Sequence, residues 1–223
     1  MIPRIALLDA SRNDPTTPRS FRRGLDGDLR RFSAVDRGFP EPGRFDAGVV
    51  TGSRASVYWD EHWIAGTEAR VRRALKRNVP ALGIRRGRQL LADVLGGTVE
   101  PMGEYELGCR TVEHRGAALF DGVPEEFTVF ITHSDAVTGL PDGAEIIAGN
   151  EYGSHGFRHG NVYGLQSHPE DDPETAGSIV RGEDLPQGRI EAVRLGESRR
   201  RAAGAIRFEQ HVRWPSEFRG GVG

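Results

Sequence analysis

Short apolar runs alternate with amphipathic segments over the first hundred residues. Each apolar run is followed at once by turn residues, as in buried strands, and three strands are predicted, at 4–9, 45–51 and 81–84. Apolar positions three and four apart predict helices at 21–32, 63–75 and 89–95. This alternation of strand and helix predicts a mainly parallel sheet with helices on both faces.

The second half of the chain has a different pattern, with short turns between apolar stretches. Six further strands are predicted, at 98–102, 107–114, 127–137, 144–150, 154–158 and 162–166. We expect them to add antiparallel strands to the parallel sheet. The absence of a repeat or a linker predicts one domain over 1–223, with a core at about 4–170 and a polar helical segment at about 173–218.

Composition excludes several classes of protein. The 223 residues carry a formal net charge of −2, which gives no general attraction to nucleic acid or to a membrane surface. The single cysteine, Cys109, excludes an internal disulfide framework and a site with several cysteine ligands. No apolar run approaches the roughly 18 residues of a membrane span, and the first residues lack a signal-peptide core. We therefore expect a cytoplasmic protein that uses no cofactor or metal.

Residues 80–91, PALGIRRGRQLL, have the spacing of a sharp strand-to-helix turn. Gly83 and Gly87 bracket the turn, and Arg85 stands at its tip. Glycines suit these positions because a Cβ would clash where the strand end crowds the helix. Such an elbow exposes a nucleophile, and the next residue, Arg86, can offer its backbone N–H to an oxyanion. Taken alone, the pattern is equally compatible with a plain turn.

A second candidate element ends the last predicted strand. His168 follows that strand, and Glu170 comes two residues later, across Pro169. A nucleophile at an elbow needs a base, and the base needs an acidic group to orient it. His168 and Glu170 supply both, although His168 could also be a surface histidine before a turn proline.

Several motifs in order now resemble one family. They are VVTGSRASVYWDE (49–61), VPALGIRRGRQLLADVLGGTVEP (79–101), EYELG (104–108), THSDAV (132–137), LPDGAEIIA (140–148) and GLQSHPE (164–170). With them the chain resembles class I (triad-type) glutamine amidotransferases, nearest to the glutaminase of GMP synthase. The resemblance implies a flavodoxin-like three-layer α/β fold. It also implies hydrolysis of glutamine to glutamate and ammonia through a cysteinyl thioester, with the ammonia passing to a synthetase partner, here a separate subunit.

The resemblance also assigns residues to roles. Arg85 falls on the nucleophilic cysteine, Arg88 on a common histidine and Ser167 on a common aromatic residue. His168 and Glu170 complete the catalytic set. The glutamine-binding and oxyanion positions fall on Gly52, Ser53, Arg86, Gly87, Gln89, Ser134 and Asp135.

Arginine cannot act as this nucleophile. Its pKa is above roughly 12, and the guanidinium has no lone pair to donate at neutral pH. We expect the Arg85 side chain to point at His168 and to pair with Glu170, so that the chain has little or no glutaminase activity. Cys109 is a poor substitute because it lies in an extended stretch, away from the elbow.

Two alternatives remain at this point. The chain could be a non-catalytic binding or regulatory pseudoenzyme of the same fold. An unrelated α/β hydrolase ranks lower, since no serine stands at the elbow. His155 and His159 could suggest a metal pair, but their spacing in a predicted strand does not favour one, and we expect both to face solvent.

Overall fold

One large sheet organises the computed structural model, which describes residues 2–12, 16–36, 38–41 and 43–168. The strands are β1 Arg4–Asp9, β2 Asp28–Ser33, β3 Ala47–Val50, β4 Ala81–Ile84, β5 Thr98–His114, β6 Glu126–Gly139, β7 Glu145–Asn150, β8 Gly153–His159 and β9 Val162–Leu165. The helices are α1 Thr16–Gly24, α2 His62–Leu75 and α3 Arg86–Val94, with a 3-10 turn at Ala118–Phe120. Within the described residues, no helix is both long and apolar enough to cross a membrane.

The sheet is parallel on one side and antiparallel on the other. Its strand order is β2-β1-β3-β4-β9-β8-β7-β5-β6. Neighbours from β2 to β9 run parallel, and every pair from β9 to β6 runs antiparallel. The predicted mixed α/β architecture, a mainly parallel core with antiparallel additions, is therefore confirmed. The carboxyl ends of β4 and β9 are adjacent, with Ile84 paired to Leu165.

Alternating side chains of the central strands enter two apolar layers. On one face, Ile5 and Leu82 belong to the same buried cluster as Phe21 of α1. On the other, Val50 packs in a cluster with Leu90 of α3 and with further residues of α2. Helices thus cover both faces of the parallel half, as the alternation of apolar runs predicted.

The helix predicted at 21–32 is correct only over its first four residues, because the observed helix begins at Thr16. The helix ends at Gly24, and Leu29 lies in β2, paired with Ile5 of β1. Gly27 marks the change of structure, since a Cβ there would lie 2.6 Å from the Ile5 Cδ1 atom. The six residue pairs that β2 forms with β1 stabilise a strand here, although the four-residue spacing of Phe21, Leu25 and Leu29 favours a helix.

The other elements lie close to their predicted bounds. The strands expected at 98–102 and 107–114 form one 17-residue strand, β5, with an irregularity between Pro101 and Glu106. Helix α3 begins at Arg86, three residues earlier than predicted, directly after the elbow. The helical segment expected at about 173–218 lies outside the described residues.

Substitution of Gly87 by alanine tests the close packing of the elbow. A Cβ at Gly87 would lie 2.1 Å from the Val50 carbonyl oxygen, which is backbone and cannot rotate away. We expect Gly87→Ala to lower the free energy of unfolding by about 3 kcal/mol or more, measured by urea denaturation. The matched control is Gly48→Ala in β3, where the nearest atom would be 4.0 Å from the new Cβ. Equal losses in the two variants would contradict the close approach at Gly87.

Candidate functional site

Arg85 occupies the turn between β4 and α3 in a backbone conformation that arginine rarely adopts. Its φ is +54° and its ψ is −114°. A non-glycine residue at positive φ carries a conformational cost of about 1–3 kcal/mol, so the surroundings must impose it. The Arg85 N–H donates to the Leu165 carbonyl at 2.7 Å, and a Cβ at Gly83 would lie 2.4 Å from the Gly87 carbonyl carbon. These backbone contacts hold the elbow.

The Arg85 side chain lies next to His168. Its Nε donates to the Thr132 carbonyl at 2.8 Å. A Cβ added to Gly52 would be 3.3 Å from Arg85 Cδ and 3.7 Å from His168 Cε1. The arginine stem and the imidazole therefore flank the same point above Gly52. Glu170, expected to pair with Arg85, lies outside the described residues.

His168 is almost fully buried at the end of β9. Its backbone N–H donates to the Phe130 carbonyl at 3.0 Å, and its ring lies beside the Phe130 ring, with centroids 6.0 Å apart. Because β9 pairs with β4, the residues that follow the two strands meet at the same edge of the sheet. The structure therefore brings together His168, Arg85 and the loop after β3.

That loop contains Gly52 and Ser53 and is held by short polar contacts. The Thr51 hydroxyl accepts the Ala10 N–H at 2.9 Å and donates to the Gly52 carbonyl at 3.1 Å. The Ser53 hydroxyl accepts the Ala55 N–H at 3.2 Å. The loop after β1 is thereby tied to the loop after β3, which faces the elbow.

Asp135 is a junction of hydrogen bonds on the same side of the sheet. Its carboxylate accepts the Ser56 hydroxyl at 2.5 Å and the Tyr58 hydroxyl at 2.9 Å. Its carbonyl accepts the Gln89 side-chain amide at 2.9 Å. Asp135 and Gln89 are thus brought together, while Ser134 is exposed beside them. Ser56 and Tyr58 were not identified as site residues, although both lie in the 49–61 stretch.

Two arginines after the elbow are buried without a carboxylate hydrogen bond in the described part of the chain. All three guanidinium nitrogens of Arg86 lack a hydrogen-bond partner there, and the group stacks 4.7 Å from the Trp63 ring centroid. Arg88 donates to the Gln166 amide oxygen at 3.1 Å and to the Ser154 carbonyl at 2.7 Å. Burial lowers the pKa of Arg86 to about 10 and that of Arg88 to about 9, so both remain cationic at neutral pH.

The expectation that His155 faces solvent is wrong. His155 is buried in β8, with Nε2 3.3 Å from the Glu106 Oε2 atom. His133 Nε2 lies 2.5 Å from the same oxygen. Burial would raise the Glu106 pKa, but the contacts of its carboxylate with His133, His155 and Asn150 lower it to about 2. His159, four residues along the strand, is half-buried. The spacing of histidines within one strand gave no signal of a cluster formed across three strands.

Cys109 lies on β5, opposite Phe130 of β6, and is partly buried. That position is within the antiparallel half of the sheet rather than at the β4–α3 turn.

Comparison with known proteins gives the family context. A model of the glutamine amidotransferase class-I family matches residues 46–181, more than half of the chain. GMP synthase [glutamine-hydrolyzing] of Staphylococcus epidermidis is 41% identical over 125 residues, which is 55% of this chain and 23% of the relative. The protein of the same name from Macrococcus caseolyticus is 35% identical over 125 residues, with the same coverage. The chain therefore spans about a quarter of the length of these relatives.

Solved structures support the flavodoxin-like fold. A glutamine amidotransferase from Thermotoga maritima has a TM-score of 0.74 at 23% identity, covering 91% of this chain and 92% of that one. A glutamine amidotransferase from Methylobacillus flagellatus has a TM-score of 0.63 at 23% identity, covering 81% of this chain and 74% of that one.

Replacing Arg88 tests the cost of its buried charge. Removing a cation from water without a carboxylate partner costs several kcal/mol, which hydrogen bonds to neutral groups offset only in part. We expect Arg88→Gln to raise the free energy of unfolding by about 1–2 kcal/mol in urea denaturation. Arg73→Gln, an exposed position on α2, is the control and should change it by less than about 0.5 kcal/mol. A less stable Arg88→Gln variant would mean that the bonds to Ser154 and Gln166 outweigh the cost of burial.

Proposed function

Since the chain belongs to the class I glutamine amidotransferase family, we propose that it is a domain of the glutaminase type whose hydrolysis of glutamine is blocked at Arg85. The observation that supports this proposal is the position of that side chain. Arg85 stands at the elbow at positive φ, and its stem lies beside His168 above Gly52. An elbow of this kind presents a nucleophile to the pocket, and here it presents a guanidinium.

The block has a chemical and a steric part. Attack on a carboxamide carbon needs a lone pair, which a guanidinium does not offer, and His168 is far too weak a base to deprotonate it. The Arg85 stem also fills the space between Gly52 and His168, where a substrate carbonyl would have to approach. Losing an essential nucleophile typically removes several orders of magnitude of rate.

We assign to the remaining residues their roles in the family reaction. With a cysteine at position 85, its sulfur would form a bond to the carboxamide carbon, and His168 would take the thiol proton and pass it to the departing ammonia. The backbone N–H groups of Arg86 and of the loop at Gly52 and Ser53 would donate to the oxyanion. Water would then hydrolyse the thioester to glutamate. Glu170 is proposed to orient His168.

The glutamine-binding role is proposed for the groups around Asp135. Its carboxylate, oriented by Ser56 and Tyr58, offers a negative charge to the α-amino group of glutamine. Gln89 is fixed to the Asp135 carbonyl and extends the site toward the elbow helix, and Ser134 and Gly87 complete it. No cofactor is needed for this chemistry.

A synthetase is the proposed partner, because the relatives are named as GMP synthases that hydrolyse glutamine. Tyr58 and Trp59, which are 51% and 47% exposed next to the Asp135 junction, offer an aromatic surface for it. We propose that 1–223 act as one domain in the cytoplasm and that the synthetase contacts this surface. A purely binding or regulatory role is the alternative, and it requires glutamine affinity without turnover.

Restoring the nucleophile tests the chemical block. We expect the unmodified chain to release glutamate from glutamine no faster than the assay background. The rate of Arg85→Cys should exceed that background by at least about 100-fold. Adding Arg88→His to Arg85→Cys should raise the rate further, because it replaces the buried cation next to the elbow by the histidine that is common in the family. The measurement is a coupled assay of glutamate.

Arg85→Ala is the matched control, because it opens the pocket without adding a nucleophile, and it should remain inactive. Robust turnover by the unmodified chain, or equal rates for the alanine and cysteine variants, would contradict the assignment of Arg85.

Calorimetry with glutamine tests the steric block and the role of Asp135 together. We expect Arg85→Ala to bind glutamine at least about 10-fold more tightly than the unmodified chain, because the stem no longer fills the pocket. Adding Asp135→Asn should weaken binding again by at least about 10-fold, since a charge pair is lost. Asp142→Asn, in an exposed turn, should leave affinity unchanged. Absence of heat and of any thermal shift in all variants would refute a glutamine site.

A further inference from the structure

Glu106, His133 and His155 form a buried cluster behind the Asp135 junction. They lie on β5, β6 and β8, and their side chains are 0%, 5% and 2% exposed. One candidate ligand atom from each residue lies within 4.8 Å of those of the other two. The proposed glutamine chemistry uses none of these side chains, so the cluster needs its own explanation.

The hydrogen bond of His133 determines which ring nitrogen can act as a donor. Its Nδ1 lies 2.8 Å from the Asp135 carbonyl, which can only accept, so Nδ1 carries the hydrogen. In a neutral ring the lone pair is then on Nε2, which faces Glu106 Oε2 at 2.5 Å. Two lone pairs at this distance repel each other unless a positive species lies between them.

His155 gives a second, independent observation. Neither of its ring nitrogens makes a hydrogen bond within the described part of the chain, although the ring is buried. An unpaired polar group in such a place costs about 1–3 kcal/mol. Its Nε2 is nevertheless 3.3 Å from Glu106 Oε2, and its ring stands at 83° to that of His133. Both imidazoles are therefore turned toward one carboxylate oxygen.

We propose that Glu106, His133 and His155 bind one Zn²⁺ ion, or a similar first-row divalent ion, through one carboxylate oxygen and two imidazole nitrogens. Two histidines and one glutamate are a common zinc ligand set, with water in the fourth position. Ligand distances of about 2.0–2.2 Å place neighbouring ligand atoms roughly 3.3–3.5 Å apart around a tetrahedral ion. The His155–Glu106 separation already fits, and the His133–Glu106 contact has to widen by less than 1 Å.

The surroundings resemble the outer shell of a metal site. The Nδ1–H of His133 donates to the Asp135 carbonyl, and the Asn150 amide donates to Glu106 Oε1 at 2.9 Å. Such bonds fix the tautomer and the orientation of metal ligands. Arg110 Nε lies 3.9 Å from Glu106 Oε1, and its charge opposes a second cation, so affinity is moderate rather than extreme.

A bound ion would stabilise the strand that carries Asp135. The Asp135 carbonyl accepts both His133 and Gln89, so an ion that fixes His133 also fixes the strand that carries Asp135. This inference is independent of glutamine turnover, since its ligands lie outside the proposed reaction.

Metal binding to the whole chain is the test. After treatment with a chelator, removal of the chelator and addition of Zn²⁺, equilibrium dialysis should find one Zn²⁺ bound per chain, and Co²⁺ should give the visible absorption of a tetrahedral site. His155→Gln and His133→Gln should each weaken Zn²⁺ binding at least about 100-fold, because each removes a ligand. His159→Gln, on the same strand as His155, is the matched control and should bind as the unmodified chain does.

The proposal would be overturned by a lack of bound Zn²⁺ in the unmodified chain or by an affinity that His155→Gln leaves unchanged. A proton shared by His133 and Glu106 would then occupy the position. The unmodified chain gives a check that needs no variant, because Zn²⁺ should raise its melting temperature and a chelator should reverse the rise. A melting temperature that Zn²⁺ does not change would equally count against the site.

Discussion

The pairing of β4 with β9 is the constraint on which the candidate site depends. Ile84 is in register with Leu165, and the next amide, that of Arg85, continues the ladder by donating to the Leu165 carbonyl. This places the elbow and His168 at the same sheet edge, although they are more than eighty residues apart in sequence. Gly87 lets α3 approach so closely that a Cβ would contact the Val50 carbonyl. Three strands and one helix therefore determine where the side chain at position 85 points.

Asp135 extends that arrangement into the antiparallel half of the sheet. Through its carboxylate it holds the loop that follows β3, and through its carbonyl it holds α3 and His133. A single residue of β6 thus connects the parallel strands, which position the elbow, with the buried cluster around Glu106. The Ser56 and Gln89 contacts of Asp135 are buried and join residues far apart in sequence.

Much of the fold could be predicted from the sequence, because local pattern and tertiary packing agree there. The run at 81–84 and the helix at 63–75 show clear apolar periodicity, and both elements form close to where they were predicted. Leu29 shows where this agreement fails. Its spacing from Phe21 and Leu25 suits a helix, but it forms a strand because it pairs with Ile5 along the edge of β1. Glu106, His133 and His155 gave no local signal, because only the pairing of distant strands brings them together.

The elbow separates two properties that are easily confused. Its backbone conformation depends on the two flanking glycines, on the β4–β9 ladder and on the packing of α3, none of which involves the side chain at position 85. Chemical competence requires a nucleophilic side chain at that position, and a guanidinium has no lone pair to offer whatever its geometry. Arginine, like any residue other than glycine, carries a conformational free-energy cost at this positive φ, and the turn nevertheless keeps its shape. The same scaffold can therefore form with or without a nucleophile at position 85, and its geometry by itself is evidence of the family rather than of turnover.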